Sequence, residues 1–264
     1  MIKDLKPVPL MIGIVLKSIA LLIAFWMVPC FAAMAQTQSR SQLQDVDVKV
    51  LKPSGNYLVP DLSASECEKL WMDADEGRIS WEEYEKRDNE LSKIPFYRLF
   101  YTPLCSWYCG GTISAQRASS TLPVQGKIAY GVKNLHDFNH ETVWAEGVDG
   151  YGVGEYVVFF APEDCPRITT VNIINGYVKT EALWRANSRV KKLMMYFNDV
   201  PYAVLELEDS RSVQWFDIGI IGYGPQESKR PSYTLKFEIL EVYPGEKFQD
   251  TVISDIYFDG VDVH

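Results

Sequence analysis

The chain has 264 residues, 47% of them hydrophobic, which is enough for one domain of ordinary size and a smaller accessory segment. Its formal net charge of -9 argues against nucleic acid as a partner, because phosphate contacts need a basic surface. Seven Trp and fifteen Tyr are many for this length, and they favour a β-rich protein or a surface that stacks against ligands.

Residues 1–35 have the pattern of a secretory signal peptide. Lys3 and Lys6 precede an apolar run over residues 18–35, which ends in the small-x-small triplet Ala33-Met34-Ala35. The pattern predicts a chain that is secreted or lies in the periplasm or cell envelope. The alternative is an uncleaved leader that anchors the chain in the membrane, because the run is close to the ~20 residues that cross a bilayer.

Export would place four cysteines in a compartment where disulfides persist. The four allow three pairings, and the sequence does not choose among them; they are Cys67, Cys105, Cys109 and Cys165. Free thiols are the alternative. A zinc site is disfavoured because the spacing of Cys105 and Cys109 is one residue too long for a CxxC pair and no His is close.

Two segments precede the main domain. Residues 36–62 are Ser- and Gln-rich at their start and are predicted to form a tether that contains a short strand at 46–51. Residues 63–95 carry apolar side chains at helical spacing and charged side chains between them. Ser80 followed by Glu83 matches a capping box, so we expect a short helical hairpin with a new helix starting there.

Short β-prone segments separated by turn residues fill the chain from residue 112 onward. Asn198-Asp199 lies between two of these segments and predicts a hairpin turn. The spacing predicts a mainly β fold, an antiparallel jelly-roll β-sandwich over residues 112–264 that follows the helical hairpin. The expected strands are 156–160, 167–174, 190–197, 202–207, 213–218, 233–242 and 253–258.

Several sequence blocks occur in an order that resembles a known family. They are ASSTLP at 118–123, NLHDFNHETVWAEGVDGYGVGE at 134–155, NGYVK at 175–179, NSRVKKL at 187–193 and FEILEVYPGEKFQDTVISDIYFDG at 237–260. The blocks resemble the discoidin-like domain, which is the galactose-binding-like jelly roll of the coagulation factor five/eight type C group. The similarity is greatest to the translocation or glycan-binding domain of a bacterial NAD glycohydrolase.

This resemblance implies an eight-stranded antiparallel jelly roll whose end loops hold sugars. It does not imply NAD cleavage, which belongs to a different domain of that toxin. It also implies a structural calcium ion, and no other cofactor is expected. The oxygens that the resemblance offers to calcium come from Asp137, Asn139, Thr142 and Asp255.

Two positions depart from the family pattern around this predicted calcium site. Phe138 follows Asp137 where relatives have Gly, and Asp255 stands where relatives have the longer Glu. The alternative to a bound ion is a loop that is closed by its own hydrogen bonds.

A predicted ligand site combines aromatic walls with a few fixed polar groups. The candidate residues are Trp144, Glu146, Tyr151, Tyr177, Lys179, Trp184, Asn187 and Arg189. Structural roles are the alternative for each: Trp144 in the core, Asn175-Gly176 as a turn, and Arg189 paired with Glu146 to join two loops.

No arrangement of catalytic residues stands out in the sequence. It contains no GxSxG motif, and Cys165 has no evident His partner. We therefore expect a non-catalytic, carbohydrate-binding-like module that recognises a glycan or cell-surface polysaccharide. The alternative is a structural module of the envelope that binds a protein partner and no sugar.

Overall fold

The structure is a computed structural model that describes residues 48–60, 64–94, 106–224 and 229–262. The predicted signal peptide at 1–35 lies outside these residues, as does most of the predicted tether. Within the described ranges, no helix combines the length and apolar character needed to cross a membrane.

The described residues form eleven β-strands. Strands β5 to β11 correspond to the seven predicted segments and confirm them. The bounds are β1 (Lys49–Leu51), β2 (Gly55–Leu58), β3 (Ala115–Ala118), β4 (Trp144–Ala145), β5 (Tyr156–Ala161), β6 (Ile168–Asn175), β7 (Arg189–Phe197), β8 (Val200–Glu206), β9 (Ser212–Ile221), β10 (Tyr233–Tyr243) and β11 (Val252–Gly260).

The strands pair into two sheets, which confirms the predicted mainly β fold. One sheet has the order β1-β8-β7-β10-β5-β3 and the other has the order β2-β9-β6-β11-β4. Strands β1 and β8 pair in parallel, and the other pairs are antiparallel. Because successive side chains of a strand point to opposite faces, both sheets contribute alternate apolar residues to the core.

Aromatic rings pack at the centre of this core. Phe159 from β5 lies with its ring centroid 5.9 Å from that of Phe237 and 5.3 Å from that of Phe258. Trp107, in a 3-10 turn before β3, is fully buried in the same core and donates from Nε1 to the carbonyl of Pro166 at 3.2 Å. The core therefore includes residues that precede position 112.

Two edge strands come from the segment that the sequence assigned to a tether. Strand β1 pairs with β8 and strand β2 pairs with β9, so the sandwich starts before the helical hairpin. Lys49 of β1 donates from Nζ to the carbonyl of Ile218 at 2.8 Å, and Tyr57 of β2 packs against Trp215 with centroids 4.9 Å apart. Strand β1 lies within the short strand that the sequence predicted at 46–51, whereas β2 has four residues and was not predicted.

The helical hairpin consists of α1 (Ala64–Asp75) and α2 (Trp81–Leu91). Ser80 caps α2 as predicted, because its Oγ accepts a hydrogen bond from the Glu83 backbone N–H at 3.1 Å. Gly77 in the connection has a φ of 72°, a left-handed conformation that suits glycine at the end of a helix.

The predicted hairpin turn between β7 and β8 is also present. Asn198 and Asp199 have φ values of 49° and 63°. Two successive left-handed residues give the type I′ geometry that matches the twist of an antiparallel pair.

The disulfide prediction is wrong for two of the four cysteines. Cys109 is an exposed free thiol on the 3-10 turn, and Cys165 is a buried free thiol. The thiol of Cys165 donates to the carbonyl of Thr112 at 3.5 Å, and burial raises its pKa. Cys105 and the side chain of Cys67 lie outside the described residues.

Candidate ligand-binding rim and cation loop

Three connections meet at one end of the sandwich, and we call residues 146–155, 176–188 and 244–251 the rim. Hydrogen bonds between backbone atoms join the connections. The Ser188 N–H donates to the backbone carbonyl of Asp250 at 3.1 Å, and the Phe248 N–H donates to that of Ala186 at 2.8 Å. Helix α3 (Glu181–Ala186) lies within the second connection.

Glu146 holds two of the connections together. Its side chain is fully buried, and its two oxygens accept backbone hydrogen bonds from Val148 at 2.9 Å and Thr251 at 3.0 Å. Burial raises the pKa of Glu146. Gly152 leaves the space for this side chain, since a Cβ there would lie 2.4 Å from the Glu146 Cγ.

Arg189 fixes the end of α3 and pairs with Asp209, whereas the sequence had suggested Glu146 as its partner. Its Nε and Nη2 donate to the Asp209 carboxylate at 2.7 and 3.1 Å. Its Nη1 donates to the carbonyls of Trp184 and Asn187 at 3.1 and 2.9 Å. These carbonyls belong to the last turn of the helix, where backbone acceptors lack partners within the helix.

Trp184 is half-buried and lies between this arginine and the turn at the end of β6. The Arg189 guanidinium lies 4.4 Å from its ring centroid, and its Nε1 donates to the Asn175 carbonyl at 3.1 Å. The Asn175 side chain in turn bonds both backbone groups of Val190, at 2.7 and 2.9 Å. One edge of the Trp184 ring is therefore held in place by structural contacts.

Trp144 and Tyr177 are much less accessible than a stacking surface requires. Trp144 is 1% exposed and donates from Nε1 to the carbonyl of Ser120 at 3.1 Å, so it lies in the core, which is the structural alternative given for it. Tyr177 is 8% exposed and packs with Val143 and Val252 on the outer side of the second sheet.

The other predicted residues keep some accessible surface. Lys179 is exposed and pairs at 3.2 Å with Glu141, which lies outside the rim. Asn187 donates from its side chain to the Leu183 carbonyl at 2.8 Å. Tyr151 lies half-buried in the first connection, and its carbonyl accepts from the Thr251 hydroxyl at 2.8 Å.

Sequence reasoning missed the most exposed aromatic residue of the rim. Phe248 is 41% exposed, and the ammonium of Lys247 lies 4.8 Å from its ring centroid. Arg185, also exposed, lies 3.8 Å from the carboxylate of Glu246. The signal in the sequence was a single ring in a polar connection that starts with Pro244-Gly245.

The loop predicted to hold calcium is closed by its own hydrogen bonds. The two oxygens of Asp137 accept from the Asn139 N–H at 2.9 Å and from the Thr142 hydroxyl at 2.8 Å. The Asn139 side-chain oxygen accepts from the Glu141 N–H at 3.0 Å. This is the hydrogen-bonded alternative, although each oxygen keeps a second lone pair for a cation.

Asp255 lies beneath this loop, and its side chain has no hydrogen-bond partner among the described residues. It is fully buried, and neither carboxylate oxygen is bonded within the part of the chain that the structure describes. Burial raises its pKa well above the ordinary value, with a smaller contribution from the negative charge of Asp137. The described residues contain no group of three or more His, Cys, Asp or Glu side chains suited to a metal. The orphaned carboxylate nevertheless fits a cation that also takes oxygens from Asn, Thr or backbone groups.

Phe138 covers this loop in a conformation that a bulky residue rarely adopts. Its φ is 56°, in the left-handed region that favours glycine, and glycine is the residue that relatives have at this position. Its ring centroid lies 5.0 Å from Tyr108 and 5.4 Å from His136. The Nδ1 of His136 is 2.8 Å from the Ile256 carbonyl, so this nitrogen is already bonded. Ring packing offsets the backbone strain at Phe138.

Two stacked sheets with a rim of interlocked end loops define a discoidin-like β-sandwich. Residues 107–259 match the NAD glycohydrolase translocation F5/8 type C domain, and the chain belongs to this family. No curated protein sequence matches the chain.

Several solved structures are similar to the chain. A putative chitobiase fragment from Bacteroides thetaiotaomicron is 16% identical with a TM-score of 0.41, over 59% of this chain and 91% of that one. CBM32-3 from a family 31 glycoside hydrolase of Clostridium perfringens is 12% identical with a TM-score of 0.38, over 58% and 96%. The arabinofuranosyltransferase AftD from Mycobacteria is 12% identical with a TM-score of 0.37, over 57% of this chain. The match spans 11% of the AftD chain.

Proposed function

We propose that this protein is a non-catalytic, secreted or envelope-associated module that recognises a glycan at the rim. The observation that carries the proposal is the group of side chains that the rim exposes. The Phe248 ring offers an apolar face, while Arg185, Lys247 and Glu246 beside it offer charge-assisted hydrogen bonds to hydroxyl groups. Membership of the F5/8 type C family supports the same reading.

The way the rim is built favours binding with little conformational change. Glu146 is bonded to two connections, and Arg189 is bonded to the end of α3 and to Asp209. A site whose backbone is fixed in advance loses less conformational entropy when its ligand binds. We expect the accessible edges of Trp184 and Asn187, together with Tyr151 and Phe248, to form the contact surface.

Two buried acidic residues, Glu146 and Asp255, are not available for glycosidase chemistry at the rim. Glu146 is occupied by two backbone N–H groups, and Asp255 is sealed beneath the Asp137 loop. A pair of carboxylates that cleaves a glycosidic bond must face the substrate from both sides. Neither of these buried carboxyl groups is open to a ligand at the rim.

A glycan and cell-wall polysaccharide array tests this function. The wild-type chain without residues 1–35 is compared with Phe248→Ala, Trp184→Ala and the control Val200→Ala, which removes an exposed apolar side chain outside the rim. We expect a saccharide signal that falls at least about tenfold in Phe248→Ala and stays unchanged in the control. A silent array, or a signal that the rim variants leave intact, overturns the proposal.

We also propose that a calcium ion supports the loop above Asp255. The carboxylates of Asp137 and Asp255 would hold the ion, with further oxygens from Asn139 and Thr142. The support is the buried carboxyl group of Asp255, which has no hydrogen-bond donor among the described residues. A cation there would stabilise the ionised carboxylate and offset the cost of burying it.

Thermal melting with and without calcium tests the ion site. Wild type is expected to melt at a higher temperature in calcium than in EDTA, because a ligand that binds only the folded state stabilises it. Asp255→Asn should lose this difference, whereas Asp217→Asn, an exposed control, should keep it. Equal melting temperatures of the wild type in calcium and EDTA contradict the calcium proposal and leave the glycan proposal to the array.

A further inference from the structure

The end of the helical hairpin where its two helices connect exposes three large apolar side chains. Trp71 is 52% exposed, Met72 is 44% exposed and Trp81 is 53% exposed. We call residues 71–85 the hairpin tip. Exposed apolar side chains that occur singly are ordinary, whereas a group that includes two Trp indicates an interaction surface.

Chain geometry brings these side chains to the same end of the hairpin. Trp71 lies four residues before the end of α1, which is about 6 Å along a helix axis. Trp81 is the first residue of α2, and only residues 76–80 separate the helices. Trp71 and Trp81 therefore both lie at the connected end.

The fold does not use these rings to build its core. Among the α1 side chains that the structure describes, those of residues 69–75, Leu70 and Ala74 are buried; they are four residues apart and share one face of the helix. Helix α2 has no buried residue. The Trp81 ring contacts Tyr84 of its own helix, with centroids 5.4 Å apart. The three exposed side chains are therefore not part of the buried face that Leu70 and Ala74 form.

The hairpin tip is strongly acidic. Between residues 71 and 85 the chain has six carboxylates and one guanidinium. Arg78 pairs with Asp73 and Glu76, and Glu83 pairs with Arg87 at 2.7 Å. In the part of the chain that the structure describes, no ion pair engages the other three carboxylates, which are those of Asp75, Glu82 and Glu85.

We propose that the hairpin tip is a docking surface for a basic polypeptide segment in which Lys or Arg alternates with large apolar residues. The apolar residues of the partner would cover Trp71, Met72 and Trp81. Its cations would pair with Asp75, Glu82 and Glu85. Trp residues surrounded by groups of complementary charge are typical of the positions that contribute most to protein interfaces.

Charge decides against the two other occupants of such a surface. A second copy of this chain carries a formal net charge of -9 and the same acidic tip, so two tips repel each other. A membrane with anionic lipids attracts basic segments and repels this one for the same reason. A cationic peptide with apolar residues is the occupant that can use both the exposed apolar side chains and the negative charge of the tip.

Fluorescence anisotropy with labelled synthetic peptides tests the proposal. The probe is a 14-residue peptide of equal numbers of Lys and Leu, and the comparison peptides replace Lys by Glu or Leu by Ser. We expect the Lys/Leu peptide to bind wild type most tightly and to weaken as salt rises, since salt screens the exposed charges. The Glu/Leu peptide binding as tightly as Lys/Leu would overturn the charge argument.

Four variants separate the hairpin tip from the rest of an acidic protein. Trp71→Ala combined with Trp81→Ala, and Glu82→Gln combined with Glu85→Gln, should each weaken the Lys/Leu peptide by about tenfold or more. The matched controls are Leu58→Ala, which removes an exposed apolar residue, and Asp217→Asn, which removes an exposed charge. All six substituted positions are exposed, and an unchanged melting temperature confirms that a variant is folded.

Each outcome decides the proposal. Loss of binding in both tip variants, with both controls unchanged, supports it. Equal binding by all variants shows that the peptide binds elsewhere and overturns it.

Two further measurements test the other occupants. If sedimentation shows a dimer that is lost on changing Trp71 and Trp81, the occupant is a second copy. Binding to phosphatidylcholine and phosphatidylglycerol vesicles that is lost in the same variant would identify a membrane. Either of these last two results overturns the proposal.

Discussion

The guanidinium of Arg189 lies 4.4 Å from the ring centroid of Trp184 and also forms two hydrogen bonds with the Asp209 carboxylate. One side chain thereby connects the end of α3, the start of β7 and the segment that follows β8. These contacts explain how the thirteen residues between β6 and β7 keep one conformation. Polar residues that the sequence suggested for ligand binding act here first as structural contacts.

Replacing Arg189 by Ala should lower the free energy of unfolding by about 2 kcal/mol, because four hydrogen bonds from a buried charged group are lost. Urea unfolding followed by Trp fluorescence measures the change. Arg185→Ala is the matched control, since Arg185 is exposed and pairs with Glu181 within one helix. A loss as large in the control as at Arg189 would contradict the structural role.

The close contact between Gly152 and Glu146 gives a second prediction. Gly152→Ala should destabilise the fold by about 2 kcal/mol or more, because the new Cβ would lie 2.4 Å from the Glu146 Cγ and the residue has a φ of 62°. Gly150→Ala is the control, with a φ of 97° and no atom within 4 Å of the new Cβ. Both variants share the backbone strain, so the difference in their urea midpoints reports the steric clash. Equal midpoints would show that Glu146 can move aside.

The sequence predicts the long strands well, because their patterns are strong and local. Strands β7 to β11 show clear apolar patterns, and Asn198-Asp199 specifies its turn through left-handed backbone angles. The alternating residues at 46–51 predicted β1, whereas β2 is too short for a pattern to show; the two strands pair with the edges of β8 and β9. Helix α3 has an N-cap at Thr180 but only six residues, so its signal was weak.

The candidate site was harder to predict, because residue type does not show how deeply a side chain is buried. Trp144 and Trp184 both carry an indole that suits a sugar ring, but the first is in the core and the second is half-buried. Burial depends on which loops cover a residue, and those contacts join segments far apart in the sequence. Phe248 is exposed in a connection whose backbone bonds to Ala186, and no local sequence pattern predicts that contact.

The isolated carboxylate of Asp255 predicts a gain in stability on neutralisation. In EDTA, Asp255→Asn should raise the free energy of unfolding by about 1–3 kcal/mol, because folding no longer transfers an ionisable group from water to a site without a hydrogen-bond donor. Asn keeps nearly the same size, so packing is conserved. The measurement is the urea midpoint of each protein in EDTA at pH 7. A lower midpoint for Asp255→Asn would show that the carboxylate has a stabilising partner.

The pair formed by Arg167 and Asp262 predicts a dependence of stability on pH. The Arg167 Nε donates to the Asp262 carboxylate at 2.5 Å, and this hydrogen bond lowers the pKa of Asp262. A carboxyl group whose pKa is lower in the folded state stabilises the protein above its unfolded pKa of about 4, and this contribution is lost as the pH falls through the folded pKa.

Asp262→Asn should therefore lower the urea midpoint at pH 7, and the difference from wild type should shrink when the pH is lowered to 3. The effect is expected to be small, because the two side chains are 27% and 20% exposed and water screens their attraction. Asp217→Asn, which removes an exposed carboxylate elsewhere on the sandwich, is the control for the change in net charge. A difference between Asp262→Asn and wild type that stays the same from pH 7 to pH 3 would show that the ion pair does not contribute. The end of the described chain would then be held by its backbone hydrogen bond from Val261 to Arg167, which measures 3.0 Å.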